Sequence, residues 1–357
     1  MTTSRKRRPL PASRRNDLLE ALRRDDVLRI SDLAETLGVA EVTLRRDVVQ
    51  LAKAGLVRRV HGGVALPEEE VAEPAEETAG QRIGMLVPSA EYYYPTVAEA
   101  AKVAAGELGI DVVLRTSSYD AEDELPLLER LVEQGAGALI VTPRMDAPTT
   151  QRTVDWLAGT ELPVVLLERT ATAGPYRTVL ESVVTDHALG AEMAVNHLML
   201  LGHRRIGVVL AEHSPTSPHV RRGWVDALGG KAAKVDALVP DARSPDSARA
   251  LDAVLDSVAA TGTTALLVHA DNEAMALVQR CEMRGLAVPG DLSVVAYDDQ
   301  VAHLCTPALT AVRPPLEAIG RAAVRLVADR LADPERPAHR VVINPSLQIR
   351  QSTSRPA

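Results

Sequence analysis

From Arg82 onward, short apolar runs rich in β-branched residues alternate with stretches of helical periodicity. The runs Ile83–Val87, Val112–Leu114, Ala138–Thr142, Val164–Leu167, Val183–Thr185, Ile206–Leu210, Thr264–His269 and Ser293–Ala296 read as strands. Val97–Leu108, Ala188–Leu201 and Glu273–Arg284 read as helices between them. Strands apolar on both faces must be covered on both, which this alternation achieves with parallel strands flanked by helices. The pattern is too long for one open sheet, because single cores stop growing near ~250–300 residues. Two α/β lobes are therefore expected. In such folds ligands sit at the carboxyl ends of strands and between lobes.

The 357-residue chain carries a net charge of -8, unevenly spread. Residues 1–66 hold 14 Lys and Arg against 8 Asp and Glu, and the rest holds 26 against 40. A basic head on an acidic body suits a polyanion-binding module on a soluble carrier. Between them, residues 67–81 contain six Glu and two Pro with little to bury, so they form a linker extended by self-repulsion. No apolar run approaches the ~18 residues that span a bilayer. The basic amino terminus MTTSRKRRPLPASRRND lacks the apolar segment of a secretory signal. Cys281 and Cys305 make neither a disulfide framework nor a metal-ligand spacing, so the expected compartment is a reducing cytoplasm.

After a basic tail over residues 1–12, residues 13–66 form a small module. Leu18, Leu19 and Leu22 mark a first helix; Ser31 caps a second that ends at Gly38. A third runs from about Glu41 to Ala54, with Leu44, Val48 and Leu51 facing the core. Arg46, Gln50 and Lys53 then point outward, with Thr43 and Arg45 on the flanks. The alternating segment Leu56–Val60 and a His61-Gly62-Gly63 turn add a hairpin, completing a winged helix-turn-helix. Arg side chains near the start of such a helix can pair bidentately with guanine, and Lys53, Arg58 and Arg59 can neutralise phosphates. An ordinary helical domain with a solvated Arg face has the same periodicity.

The stretch LAETLGVAEVTLRRDVVQLAKAGLVRRVHGGV separates these readings, because it resembles the DeoR family of bacterial regulators. Thr43, Arg45, Arg46, Asp47, Gly55, Arg59, His61, Gly62 and Gly63 fall in register with that family's pattern. Ala40 stands where the family usually has a capping Ser, a loss of about 1 kcal/mol of helix stability. The resemblance implies duplex DNA as a partner, contacted by Thr43, Arg45, Arg46, Gln50, Lys53, Arg58, Arg59 and His61.

Residues 82–353 resemble the effector domain of the LacI family, itself similar to periplasmic sugar-binding proteins. The blocks RIGMLVPSAEYYYPTVAEAAKVAAGELGIDVVL, SVVTDHALGAEMAVNHLMLLGHRRIGVV, VPGDLSVVAYDD and TPALTAVRPPLEAIGRAAVRLV come in family order. This implies two Rossmann-like lobes, about 82–185 with 313–341 and 186–312 with 342–353, dimerising and closing on a small polar effector. The effector positions implied are Tyr92, Tyr94, Pro95, Glu168, Arg221, Arg222, Trp224, Asp271 and Asp298. Aromatic faces suit the C–H faces of a sugar, and carboxylates accept from hydroxyl pairs. The tyrosines could instead pack a loop, Glu168 could pair with Arg169, and core packing suits Trp224 nearly as well. Where the family usually has Arg three residues before the glycine of its R-x-x-G block, this chain has Val220, with Arg221 and Arg222 beside Gly223.

Catalysis finds no support in the residues. No G-x-S-x-G, phosphate loop or H-E-x-x-H occurs. Asp298 and Asp299 are adjacent, so on an extended segment they point to opposite sides. The expectation is a transcriptional regulator, a repressor by family habit, with no cofactor or metal. It would bind palindromic operator DNA and a sugar-like effector as a dimer or dimer of dimers, without membrane attachment. The six linker carboxylates would repel phosphate, so the linker is expected not to bind DNA.

Overall fold

The computed structural model describes residues 27–30, 33–34, 44, 48, 58–60, 63–65, 82–89, 91–117, 123–230 and 235–356. The chain divides into two compact units, Met1–Glu77 and Thr78–Ala357. In the first, β1 (Val27–Arg29), β2 (Arg58–Val60) and β3 (Gly63–Ala65) make an antiparallel sheet in the order β1-β3-β2. The hairpin of β2 and β3, with Val60 opposite Gly63, answers the expected wing. β1 was not foreseen: three residues are too few to display alternation. Leu33, Ala34, Leu44 and Val48 are helical and buried, as their spacing requires. Thr43, Arg45, Arg46, Gln50, Lys53 and His61 lie outside the described residues, as do the tail, the linker and the side chains of Arg58 and Arg59.

The second unit opens with β4 (Arg82–Val87), α1 (Tyr94–Gly106), β5 (Asp111–Thr116), α2 (Leu125–Glu133) and β6 (Ala138–Val141). There follow α3 (Thr150–Gly159), β7 (Val164–Leu167), the small hairpin β8 (Thr172–Ala173) and β9 (Thr178–Val179), and β10 (Glu181–Thr185). Beyond Asp186 come α4 (His187–Leu201), β11 (Ile206–Ala211), α5 (Ser217–Ala227), β12 (Asp236–Val239), α6 (Ser247–Thr261) and β13 (Ala265–His269). Next are α7 (Asp271–Met283), β14 (Ser293–Tyr297), β15 (Thr310–Arg313), α8 (Leu316–Ala332), β16 (Arg340–Ile343) and β17 (Ser346–Gln348). The first sheet has the order β16-β10-β7-β6-β4-β5 and is wholly parallel. The second has the order β12-β11-β13-β14-β15-β17 and is parallel except for β17 on its edge.

The chain thus crosses between sheets three times, at Asp186, at Pro314–Pro315 and at Asn344–Pro345. The last two seams lie one to two residues beyond the expected ones, because β15 runs through Arg313 and β16 through Ile343. Each sheet is covered on both faces. In the first lobe α1 and α8 pack over Ile83, Met85, Ile140 and Val165, while α2 and α3 cover Leu86, Leu139 and Leu166. In the second, α6 and α7 cover Val209, Leu266 and Val294, and α4 and α5 cover Val208, Leu267 and Val295.

Helix pairs cross at glycines. A Cβ on Gly320 would stand 2.3 Å from the Val97 carbonyl oxygen, and one on Gly223 would stand 2.0 Å from that of Ala188. Neither backbone atom can swing aside as a side chain would. Gly223→Ala should therefore force α4 from α5 and cost about 1–3 kcal/mol in denaturant titration. Gly106→Ala, with nothing within 4 Å of the new methyl, should stay within about 0.5 kcal/mol of the parent.

Candidate functional site

The carboxyl ends of β7 and β10 in the first lobe meet those of β13 and β14 in the second around buried polar side chains. Glu168 follows β7 with φ 53°, in the left-handed region, which turns its side chain back under the strand ends. Tyr93 donates to its Oε1 at 2.7 Å and the Thr185 hydroxyl at 2.7 Å, while the Thr185 amide donates to Oε2 at 2.9 Å. His187 Nε2, from the second lobe, lies 3.4 Å from Oε2. Burial alone would raise the Glu168 pKa; the hydrogen bond and charge of His187, with the Thr185 donors, outweigh it and hold the carboxyl near 2. Its alternative partner is ruled out: Arg169 donates through Nη1 to the Glu168 carbonyl at 2.6 Å, not to its carboxylate.

On the facing lobe, Asp298 follows β14 with φ 94°, and Asp299 comes next with φ 52°. The two carboxylates diverge. Asp299 pairs with Arg313 and Arg350, each at 2.7 Å, whereas Asp298 faces the other lobe and accepts from Tyr92 at 3.3 Å. Tyr92 itself has φ 65°. Four residues on this boundary, Tyr92, Glu168, Asp298 and Asp299, therefore hold strained left-handed backbone, a feature that concentrates at functional sites. Asp271 heads α7 and accepts from the amides of Asp299, Gln300, Val301 and Ala302 at 2.7–3.2 Å. Its oxygens are thereby committed to holding the loop that presents Asp298. Desolvation raises both Asp271 and Asp298 to about 7, with Asp298 adding its charge at Asp271.

Between these groups lies Tyr297. Its hydroxyl donates to the His187 carbonyl at 3.1 Å and lies 3.2 Å from His187 Nδ1. His269 Nδ1 is 3.4 Å from the Ser217 hydroxyl, and its Nε2 is 4.0 Å from Asp298. Burial first, then the charge of His187, brings His269 down to about 4. Tyr93, His187, Ser217, His269 and Tyr297 were not among the sequence candidates, although His269 ends an expected strand and Tyr297 directly follows one.

Other expected positions fall elsewhere. Tyr94 is buried in the first-lobe core, because α1 starts there and turns it inward while Tyr92 and Tyr93 face the boundary. Pro95 is exposed on the first turn of α1. Trp224 lies in the second-lobe core, its indole donating to the Ile206 carbonyl at 3.3 Å, so it is no stacking platform. Arg221 turns to β12 and pairs with Asp236 at 2.8 Å. Arg222 is exposed on the same helix. Among the described residues no helix is long and apolar enough to cross a membrane.

Two family models match the chain: a DeoR-like helix-turn-helix domain over residues 14–70 and a periplasmic binding protein-like domain over residues 195–353. The transcriptional regulator MalR of Streptomyces coelicolor is 28% identical over 91% of this chain and 96% of its own length. Among solved structures, the regulator CelR in complex with cellobiose superposes with a TM-score of 0.66 at 22% identity, covering 87% of this chain and 90% of that one. A LacI-family regulator from Enterococcus faecium with bound ribose gives 0.62 at 23% identity, covering 77% and 99%. The chain is thus related, through both units, to helix-turn-helix transcriptional regulators with a two-lobed body.

A carboxyl that holds its proton more tightly when folded contributes stability below its unfolded pKa and loses it as pH rises through the folded value. For Asp298 that window runs from about 4 to about 7. His269 works in the opposite sense, losing its contribution as pH falls from 6.5 through about 4. Subtracting wild type from Asp298→Asn isolates the carboxyl: the variant should gain relative stability from pH 5 to pH 8 in urea titrations. A pH-independent difference would show that Asp298 ionises as it does in water.

Proposed function

We propose that this chain is a sequence-specific DNA-binding transcriptional regulator, a repressor, whose operator affinity is set by a small sugar-like effector held between two lobes. The observation that carries this reading is the polar seam between parallel-sheet lobes joined by three crossings. Tyr92, Tyr93 and Glu168 stand on one side; His187, His269 and Asp298 stand on the other. A polyol between lobes replaces water around hydroxyl acceptors such as Glu168 and Asp298 and presents C–H faces to the tyrosines. The relatives' two-unit architecture and the sugar complexes of similar folds support the same reading. Closure about the crossings at Asp186, Pro314–Pro315 and Asn344–Pro345 would bias the spacing of paired heads on a palindrome, the chain acting as a homodimer.

DNA contact is assigned to Thr43, Arg45, Arg46, Gln50, Lys53, Arg58, Arg59 and His61, and the acidic linker tethers without touching DNA. A binding protein whose head contacts another protein is the second reading, favoured only by the Arg-rich helix face that the sequence predicts. Removing residues 1–66 decides between them. Loss of specific duplex binding in gel shifts, with the body still folded, supports the regulator; retained binding refutes it.

Arg46→Ala should weaken operator binding by about 1–3 kcal/mol and relax base preference, whereas Lys53→Ala should chiefly reduce the salt slope. Equal gel-shift midpoints for Arg46→Ala and wild type would mean that the opposite helix face reads DNA. In footprinting, the operator's minor groove should show no protection that depends on residues 67–80.

A further inference from the structure

The seam is not electrically symmetric. At its rim, α5 carries His219 in its first turn and Arg222 three residues on, so both lie on one helix face. The opposite face, with Val220, Gly223 and Trp224, is buried, and Arg221 is drawn aside to Asp236. The His219 ring centroid is 6.4 Å from that of His187, which in turn touches Glu168. From the other lobe, Arg169 follows Glu168; its Nε is buried and makes no hydrogen bond, and Nη1 reaches only the Glu168 carbonyl. Among the described residues neither Arg169 nor Arg222 forms an ion pair with a carboxylate.

The carboxylate at this rim, Glu168, is already engaged by Tyr93, Thr185 and His187. Two guanidinium groups and an imidazole therefore share a corner with an excess of positive charge and an unused donor. The electrostatics agree: partial burial, then the charges of His187, Arg222 and Arg169, outweigh the opposing charge of Glu168 and hold His219 below its ordinary pKa. Two guanidinium groups beside the single Glu168 carboxylate leave a net positive charge, which favours an oxyanion, and guanidinium forks match phosphate and carboxylate oxygens in pairs. A neutral sugar would leave that excess uncompensated.

Resting on the effector site proposed above, we infer that the effector is a sugar derivative bearing an oxyanion. Arg169 of the first lobe and His219 and Arg222 of the second hold the anion, and Glu168 and Asp298 receive the hydroxyls. The anion draws the two lobes together, because its ligands come from both.

Isothermal titration of the full chain with glucose 6-phosphate, fructose 6-phosphate, glucuronate, glucose, fructose and inorganic phosphate tests this. At least one anionic sugar should bind at least tenfold more tightly than its neutral parent and than inorganic phosphate. Arg222→Ala and Arg169→Gln should each weaken that sugar by about ten- to a hundredfold, the worth of a charge-assisted hydrogen bond. Circular dichroism melting identifies any variant that fails to fold, and Arg222→Lys, on an exposed site, should recover part of the affinity. Neutral sugars binding as tightly as anionic ones would overturn this inference and leave the proposed function standing. Inorganic phosphate binding as tightly as the sugar phosphates would overturn it too, and binding by no sugar would overturn both. If glucuronate alone binds, the inference holds with a carboxylate as the anion.

Discussion

A carboxylate taken out of water must receive its hydrogen bonds from the protein, or it keeps its proton. The boundary between the two lobes is built on that constraint. Glu168 is given four donors, one of them from the facing lobe, and stays ionised. Asp271 is given four backbone amides and so fixes the 299–302 loop. Asp298 receives a tyrosine hydroxyl and otherwise keeps a raised pKa. The arrangement binds the lobes through polar contacts that hydroxyls of a ligand can replace one for one. An apolar boundary of the same size would hold the lobes together but could recognise nothing polar.

The fold supplies the location. Parallel strands all end at the same edge of their sheet, so each lobe gathers the residues after its strands at one rim. Three crossings set the two rims face to face, and Gly190 lets the crossings pack closely: a methyl there would meet Tyr297, Val312 and Pro345 within 3.0 Å. Tyr297 then serves both layers, filling the second-lobe core and bridging to His187 with its hydroxyl.

The strands of both lobes were legible because apolar runs such as Ala138–Val141 and Ala265–His269 are buried on both faces and bear no polar interruption. β12, β15, β16 and β17 were not, being edge strands or short segments whose pattern is broken by exposed residues such as Arg313 and Arg340. At the seam, Glu168 and Asp298 could be read from their places after strands. His187 could not: it opens a helix, and only the crossing at Asp186 brings it to Glu168. Tyr93 was hidden by its neighbours, since which of three consecutive tyrosines faces the boundary depends on where α1 begins. Val220 stands out in the sequence as a departure, but the sequence could not tell that Arg221 is spent on Asp236 and that Arg222 has no carboxylate partner among the described residues.

The central claim is that the occupancy of the seam and the state of the operator are thermodynamically coupled. Coupling of that kind is reciprocal: whatever factor the effector imposes on DNA affinity, DNA must impose on effector affinity. The most direct measurement is therefore the dissociation constant of the tightest-binding sugar, determined once on the free full-length chain and once on the chain saturated with operator duplex. The account predicts two different values, separated by about five- to 150-fold as in typical allosteric proteins. Identical constants in the two states would contradict it, leaving a DNA-binding head and a sugar-binding body with no communication between them.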